Sequence, residues 1–448
     1  MDHIVKLDSR ANNSLWTNST SGFISKNPDF APRYDVAIIG GGFSGLWSAF
    51  HLARINSSLK IALFEAEEIG FGASGRNGGW VSSDYPVYRS TLVKRHGREK
   101  TELLFTSLRH SIEGIGQFAA AHAPQAGFVK SGTLTFARNQ GQRRRLEAAV
   151  DSDHRYLEAS EIETRIHIDG VLGGLFNEEF ATVQPFELQL ALVNFLQSVG
   201  IEIFNQSRAS RIEGGLLVNS RFVAAETVIE ATEVFGDPKR DFIPLYSLMV
   251  ATEPLSDRFW REIGNDERFT FAEGAHLINY AQRTIDGRLA IGGRGVTYPY
   301  KSRLRESKEM TASVHQRLIA LAKEWFPTLR DVEFTHRWGG AVAITRDWEP
   351  YLLWDQHSRF GKIGGYAGDG VTMSYLAAKA LAYEITDQQS ALRELHFVNR
   401  RIRRWEPEPL RYVAINSLVK LNSVADKEEK ISGRPSLLNR IIAPVILR

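Results

Sequence analysis

Tyr34-Asp-Val-Ala-Ile-Ile-Gly40-Gly-Gly-Phe-Ser-Gly45 is the stretch that decides the fold. Tyr34 to Ile39 is apolar enough to be a buried parallel strand. The glycines after it stand at the G-x-G-x-x-G spacing of a strand-to-helix turn. A helical pattern opens at once in Leu46-Trp-Ser-Ala-Phe-His-Leu-Ala-Arg54. A second apolar run, Lys60-Ile-Ala-Leu-Phe-Glu65, ends in an acid 20 residues beyond Gly45. Strand, turn, helix, strand and acid in this register predict a dinucleotide site. Gly40 permits the tight turn, Gly42 lets backbone approach a pyrophosphate, and Gly45 lets the helix pack on the sheet. The helix opening, with its free N–H groups and positive dipole end, then faces the anion. Glu65 can accept hydrogen bonds from ribose hydroxyls.

At 448 residues the chain is long enough for two domains. It is 43% hydrophobic and 24% charged, an ordinary globular balance. A net charge of +3 gives no reason to expect nucleic acid or an acidic membrane as partner. Arg143-Arg144-Arg145 and Arg400-Arg401-Ile-Arg403-Arg404 read as solvated faces. With no cysteine, disulfides, thiolate metal sites, a cysteine nucleophile and a cysteine-linked cofactor are excluded. No secretory leader pattern and no run of about 20 apolar residues stands out, so a cytoplasmic protein without a membrane span is expected. No metal constellation, G-x-S-x-G elbow or H-E-x-x-H occurs.

Along the chain, residues 1–33 read as a polar extended arm, lying on the surface or partly disordered. Helix is expected over 91–122, strand over 128–137, a charged helical stretch over 140–165 and a short strand over 173–176. Pro185 opens a helix to Val199. Strands follow at 201–212 and 222–231. Between 241 and 340 strand-like runs recur at 246–252, 276–282, 288–292 and 334–338, with a helix at 310–325. This predicts an antiparallel sheet. Ile363-Gly-Gly-Tyr-Ala-Gly-Asp-Gly370 then reads as strand and turn before a helix to Ile385. The tail, 387–448, is polar and basic, and its apolar end, Leu437 to Arg448, is expected to dock on the body.

At Gly70-Phe-Gly-Ala-Ser-Gly-Arg-Asn-Gly-Gly-Trp80 the residues become distinctive. With Tyr34 to Glu65, Val228 to Thr232, Arg337-Trp-Gly-Gly340 and Gly364 to Gly370, they make the chain resemble the FAD-dependent D-amino-acid/glycine/sarcosine oxidase family from about Trp16 to about residue 425. The resemblance is nearest to the γ-glutamylputrescine oxidase and aminophosphonate oxidoreductase branch. It implies a mixed α/β architecture: a Rossmann-like FAD-binding domain of the glutathione-reductase type, interleaved with an antiparallel-sheet substrate domain. The segments would be 34–122, 166–240 and 341–398 for FAD, and 123–165 and 241–340 for substrate, with 399–448 as the docking tail. It also implies FAD, held covalently or not, and oxidation of a C–N bond in a small-molecule amine. Electrons would pass on to O2 or another acceptor. By the family pattern Gly40, Gly42, Phe43, Ser44 and Gly45 line the pyrophosphate, and Glu65 and Ala66 lie at the adenosine. Gly72, Ala73, Ser74, Arg76, Asn77, Gly78 and Gly79 wrap the ribityl chain and flavin edge. Ala209, Ala231 and Thr232 also touch the cofactor. Gly368, Gly370, Val371 and Thr372 sit at the flavin pyrimidine end, where a helix N-terminus would stabilise the reduced anion.

Three acids depart from that pattern. Asp369 stands where relatives often carry His, and is expected to face solvent or cap the helix. Glu230 and Glu233 stand where relatives carry small or apolar residues, and all three acids leave open a catalytically altered flavoprotein or a partner-dependent subunit. An NAD(P) dehydrogenase is the other reading of the glycine turn, and the Gly70 to Gly79 loop argues against it. No catalytic base is nominated. Substrate-face candidates are Tyr280, Arg294 and Trp80. Their bland alternatives are a sheet tyrosine, a structural ion pair and core packing. Arg294, between glycines, could grip a carboxylate or phosphonate in bidentate fashion. Trp338 and Arg346 are weaker candidates, and His336 reads as a sheet residue.

Overall fold

The computed structural model describes residues 14–18, 30–237 and 240–436. The strand Arg33–Ile39 lies at the centre of an eight-stranded sheet, parallel to Ile61–Phe64 on one side and Arg221–Glu230 on the other. Glu202–Phe204 extends it in parallel beyond Ile61–Phe64. Phe360–Gly364 runs parallel to the C-terminal half of Arg221–Glu230, and Tyr351–Asp355 turns back on it. Val36, Ile38, Leu63 and Ile229 are fully buried because helices cover this sheet.

The helix Phe43–Ile55 packs on the helix Gly370–Ile385. Trp47 meets Tyr375 edge-on at 4.8 Å between ring centres, and the Ser44 and Tyr366 hydroxyls share a 2.9 Å hydrogen bond. The openings of the two helices are thereby held side by side. Gly45 has no room for a side chain, since a Cβ there would overlap the Gly40 carbonyl oxygen. Gly40 itself has φ of +107°, and a Cβ on it would lie 2.5 Å from the Ala231 carbonyl oxygen.

The second sheet also has eight strands, in the order Phe334–Thr345, Phe242–Thr252, Leu289–Gly293, Asn279–Arg283, Thr270–Glu273, Thr133–Ala137, Gly173–Asn177 and Arg155–Glu158. All its pairings are antiparallel except Thr270–Glu273 with Thr133–Ala137. Its own core includes Phe136, Phe271, Leu318 and Trp325. Gly173–Asn177 thus belongs to the substrate sheet, and the boundary expected at 166 falls after it. The reason is pairing: both its edges are bonded, to Thr133–Ala137 and Arg155–Glu158.

Other expectations need correction. The charged stretch 140–165 is not one helix. Gln140–Glu147 is helical, but Arg155–Glu158 is a strand, followed by a capped turn of helix, Ala159–Glu163. The helix at 91–122 breaks at Gly97, whose φ is +85°. The strand expected over 201–212 is two strands separated by the bend at Asn205–Arg208. The amino-terminal arm is no surface feature where it is described. Leu15 and Trp16 are buried, Ser14 Oγ donates to the Gly75 carbonyl at 2.8 Å, and Trp16 Nε1 donates to the Asn77 carbonyl at 2.8 Å. In the tail, Leu410–Ser432 forms a long helix that polarity had hidden. It is seated by buried Glu429, which accepts from both Arg145 guanidinium nitrogens at 3.0 and 3.1 Å and pairs with His276 at 2.9 Å. Arg145 and Arg400 are therefore ion-paired anchors, Arg400 to Asp347 at 2.8 Å, rather than solvated charges. The expected docking of Leu437 to Arg448 lies outside the described residues.

Gly45→Ala is expected to lower stability by about 2–3 kcal/mol, because the overlapping atom is backbone and cannot rotate away. Denaturant unfolding monitored by circular dichroism measures this, and an unchanged midpoint would contradict the contact. A second outcome concerns Glu349, which ties the loop after Phe334–Thr345 to His96, His396 and Arg95 at 2.9, 3.3 and 2.8 Å. Burial alone would raise its carboxyl, but the hydrogen bond and charge of His396, then Arg95 and His96, bring it down to about 2. A depressed carboxyl stabilises the fold above its unfolded pKa, and that contribution drains away as pH falls towards 2. Glu349→Gln should cost up to about 3 kcal/mol at pH 7, with the difference shrinking below about pH 4.5. Equal losses at pH 7 and pH 3 in thermal melts would rule this out.

Candidate active site

A cavity of about 310 Å³ lies between the two sheets. Ala73, Arg76, Asn77 and Gly78 line one wall, Ala367, Gly368, Asp369 and Val371 a second, and Trp80, Asn279, Tyr280 and Arg294 a third. The loop and helix opening expected at the cofactor thus share one space with all three substrate-face candidates. Cohesion of the loop comes from side chains folded back on backbone. Asn77 Nδ2 donates to the Ala73 and Ser74 carbonyls, and its Oδ1 accepts from the Gly79 N–H at 2.8 Å. Ser74 Oγ accepts from the Phe43 N–H at 2.9 Å, tying the loop to the first helix opening.

Tyr280 stands between two glycines. A Cβ on Gly78 or on Gly292 would come within 2.5 Å of its ring. Its hydroxyl is fixed by Ser247 at 2.8 Å, and Trp80 meets it edge-on at 5.9 Å. Burial raises the Tyr280 pKa above the ordinary phenol value, so the hydroxyl keeps its proton. Arg294 donates to the Ala367 carbonyl at 2.5 Å and lies over the Trp348 ring. Its guanidinium therefore holds the loop leading into the helix Gly370–Ile385, and it also lines the cavity.

Glu65 is buried, accepting from the Gly41 N–H at 2.7 Å and the Glu67 N–H at 3.0 Å, and burial raises its pKa. Ala66 follows it. Ala231 packs under the turn at Gly40, and Thr232 continues that wall. Ala209 opens an edge strand and packs on the aromatic cluster of Phe30, Phe64 and Phe204, two residues beyond Ser207, whose N–H bonds the Glu65 carbonyl. It does not reach the cavity.

The departing acids find structural partners. Glu230 pairs with Lys362 at 2.8 Å. Glu233 accepts from the N–H groups of Ala343, Gly365 and Tyr366 at 3.1, 2.9 and 3.4 Å, and burial raises it to about 7. Glu230 thus ties two neighbouring strands, and Glu233 closes the loop at Gly365. Asp369 differs from expectation: it occupies the N-cap position but makes no capping hydrogen bond, and it lines the cavity. Trp338 is a buried wedge that donates to the Arg76 carbonyl at 3.0 Å. Arg346 pairs with Glu406 away from the cavity, and His336 is a sheet residue as read.

Among the lining residues that sequence reading missed are Ser82, Asp84, Thr135, Ser247, Asn279 and Val342. A signal existed for the first two. Trp80 and Ser82 alternate along the strand Trp80–Ser82, which puts them on one side, and Asp84 follows at the same spacing.

Four buried polar atoms cluster here with no partner among the described residues: Arg76 Nε and Nη2, Trp80 Nε1 and Thr372 Oγ1. Buried donors left unpaired are costly, so they point to a polar ligand. Neither helix opening is capped by the side chain of the residue before it. The unpartnered atoms and the glycines along the cavity, Gly78, Gly340 and Gly368, suit a cofactor with a polar ring.

Comparison with known proteins agrees with this geometry. The family model described as DAO, FAD dependent oxidoreductase, matches residues 35–384. The protein named probable oxidoreductase OrdL in Haemophilus influenzae is 26% identical over 83% of this chain and 88% of its own length. The γ-glutamylputrescine oxidoreductase of Escherichia coli is 26% identical over 78% of this chain and 82% of its own. The crystal structure of glycine oxidase from Geobacillus kaustophilus superposes with a TM-score of 0.69 at 19% identity, covering 83% of this chain and all of that one, and so shares the fold. This chain belongs to the DAO family of FAD-dependent oxidoreductases.

Proposed function

We propose that the protein oxidises the C–N bond of a primary or secondary amine, drawn from amino acids, polyamine derivatives and aminophosphonates. One observation carries the reading. A single cavity has the loop Ala73–Gly78 and the opening of the helix Gly370–Ile385 on one side, and the rings of Tyr280 and Trp80 on the other. A substrate between them would be pressed against the cofactor position. The names of the relatives, which refer to γ-glutamylputrescine and glycine, support the amine class. Of the three departing acids, Glu230 and Glu233 are absorbed in pairings outside the cavity, and Asp369 lines it.

FAD, when bound, supplies the two-electron acceptor for the hydride leaving the amine carbon. The residues that would hold it are Gly40 to Gly45 at the pyrophosphate, Glu65 at the ribose, Arg76 to Gly78 along the flavin edge, and Gly370 to Thr372 at the pyrimidine end. The chain's own task is then positioning and exclusion. Tyr280, locked by Ser247 and two glycines, presents a rigid ring and a protonated hydroxyl. Val342 and Val371 supply apolar wall, which favours the neutral form of an entering amine and leaves the nitrogen lone pair available. Loss of hydride and the N–H proton turns the amine into an imine, and water converts it to a carbonyl compound and a released amine. O2 or another acceptor would complete turnover.

The purified protein should be yellow, and at least one member of an anaerobic panel of amino acids, polyamine derivatives and aminophosphonates should bleach it. Colour that persists with every amine would leave a flavoprotein without this activity. Arg294→Ala should weaken FAD binding about tenfold or more, because a charged hydrogen bond to the Ala367 carbonyl is lost at the loop before the helix. Fluorescence titration of the apoprotein measures this. Unchanged FAD affinity with a raised KM for the amine would instead give the guanidinium to the substrate.

A further inference from the structure

The cavity does not end at Tyr280. Past Trp80 the chain runs extended through Ser82 to Asp84, and both line the same space. Four residues of extended chain span at most about 14 Å, so Asp84 marks a compartment within that distance of Trp80. Arg76 is committed to Glu309 at 2.5 Å, and Arg294 to the Ala367 carbonyl. Behind Asp84, Asp153 is held by Arg89 and by Arg109 at 3.5 Å, and Asp151 by His154 at 2.7 Å. The Asp84 carboxylate accepts no hydrogen bond among the described residues. Its nearest cation is His154 Nε2, 3.9 Å away and already shared with Asp151 through the other ring nitrogen. The Asp84 side chain is 51% exposed and lines the cavity. Burial, with Asp151 and Asp153 nearby, makes its charge costly to hold alone, and His154 offsets this only in part.

We propose that Asp84 anchors a second cationic group on the substrate, so that the protein acts on amines carrying a remote ammonium or guanidinium. This rests on the amine-oxidising reading and names the class within it. The chemistry favours a remote cation over the reacting nitrogen. An amine that gives up hydride must be neutral, and a carboxylate beside it would hold it protonated. A charge at the far end of the substrate can stay ionised, reach Asp84 and leave the reacting end against Tyr280. The side chains between the two ends, Ser82, Thr135 and Asn279, are neutral and polar.

The test compares 1,4-diaminobutane with butylamine, which differ only in the second ammonium. Steady-state kcat/KM and calorimetric binding are measured on the FAD-loaded wild type, Asp84→Asn and Asp84→Glu. The wild type should favour the diamine about 10- to 100-fold, the yield of a charged hydrogen bond made in a cavity. Asp84→Asn should bring that ratio close to one, and Asp84→Glu should retain most of it. A ratio near one in the wild type overturns the proposal even if neither variant folds. An undiminished ratio in Asp84→Asn overturns it as well. If both probes fail while another amine of the panel bleaches the flavin, the anchor falls and amine oxidation stands. If no amine bleaches it, both fall.

Discussion

Two helix openings held against each other are the constraint on which the rest of the structure depends. The Gly45 backbone rests on the Gly40 carbonyl, so the helix Phe43–Ile55 leaves its strand with no intervening side chain. Ser44 and Tyr366, and Trp47 and Tyr375, then fix the helix Gly370–Ile385 beside it. The segments lie more than 300 residues apart in the chain. Their proximity brings two helix N-termini together, and each opening reinforces the positive potential of the other.

The antiparallel sheet completes what the helix openings begin. Its strand Asn279–Arg283 carries Tyr280 across the loop Ala73–Gly79, and glycines at 78 and 292 allow the ring to descend between them. Contact of this kind is unforgiving, since interiors have no slack for an added methyl group. Interleaving follows from it. Neither domain alone has all the walls of the cavity, and the chain crosses between sheets to provide them.

Much of this was legible from residues. The strand, turn and helix at 34–55 and the acid at Glu65 announce themselves by spacing, and Ala73 to Gly79 by its distinctive glycines. Pro185 marked its helix correctly because proline fits only the first turn. What escaped was set by tertiary contacts. Arg155–Glu158 is too charged to look like a strand, but pairing along Gly173–Asn177 holds it as one. The helix Leu410–Ser432 lacks a strong apolar face and is seated instead by Glu429 and Asp426, whose partners come from residues 145 and 276–277. Arg294 and Asp369 sit where sequence placed them, yet the direction of each side chain depends on carbonyls and loops remote in the chain. The roles of Glu230 and Glu233 were obscured for the same reason, because Lys362 and the Gly365 N–H lie about 130 residues away.

The loop Ala73–Gly79 is wrapped by three indoles. Trp16 donates to its Asn77 carbonyl, Trp338 donates to its Arg76 carbonyl, and Trp80 continues its chain into the cavity. Trp16 and Trp338 also meet edge-on at 5.9 Å. An oxidised isoalloxazine beside them absorbs where indole emits. The polypeptide therefore carries its own optical gauge: ultraviolet excitation yields dim emission when the ring is seated and bright emission when it departs, with no dye attached.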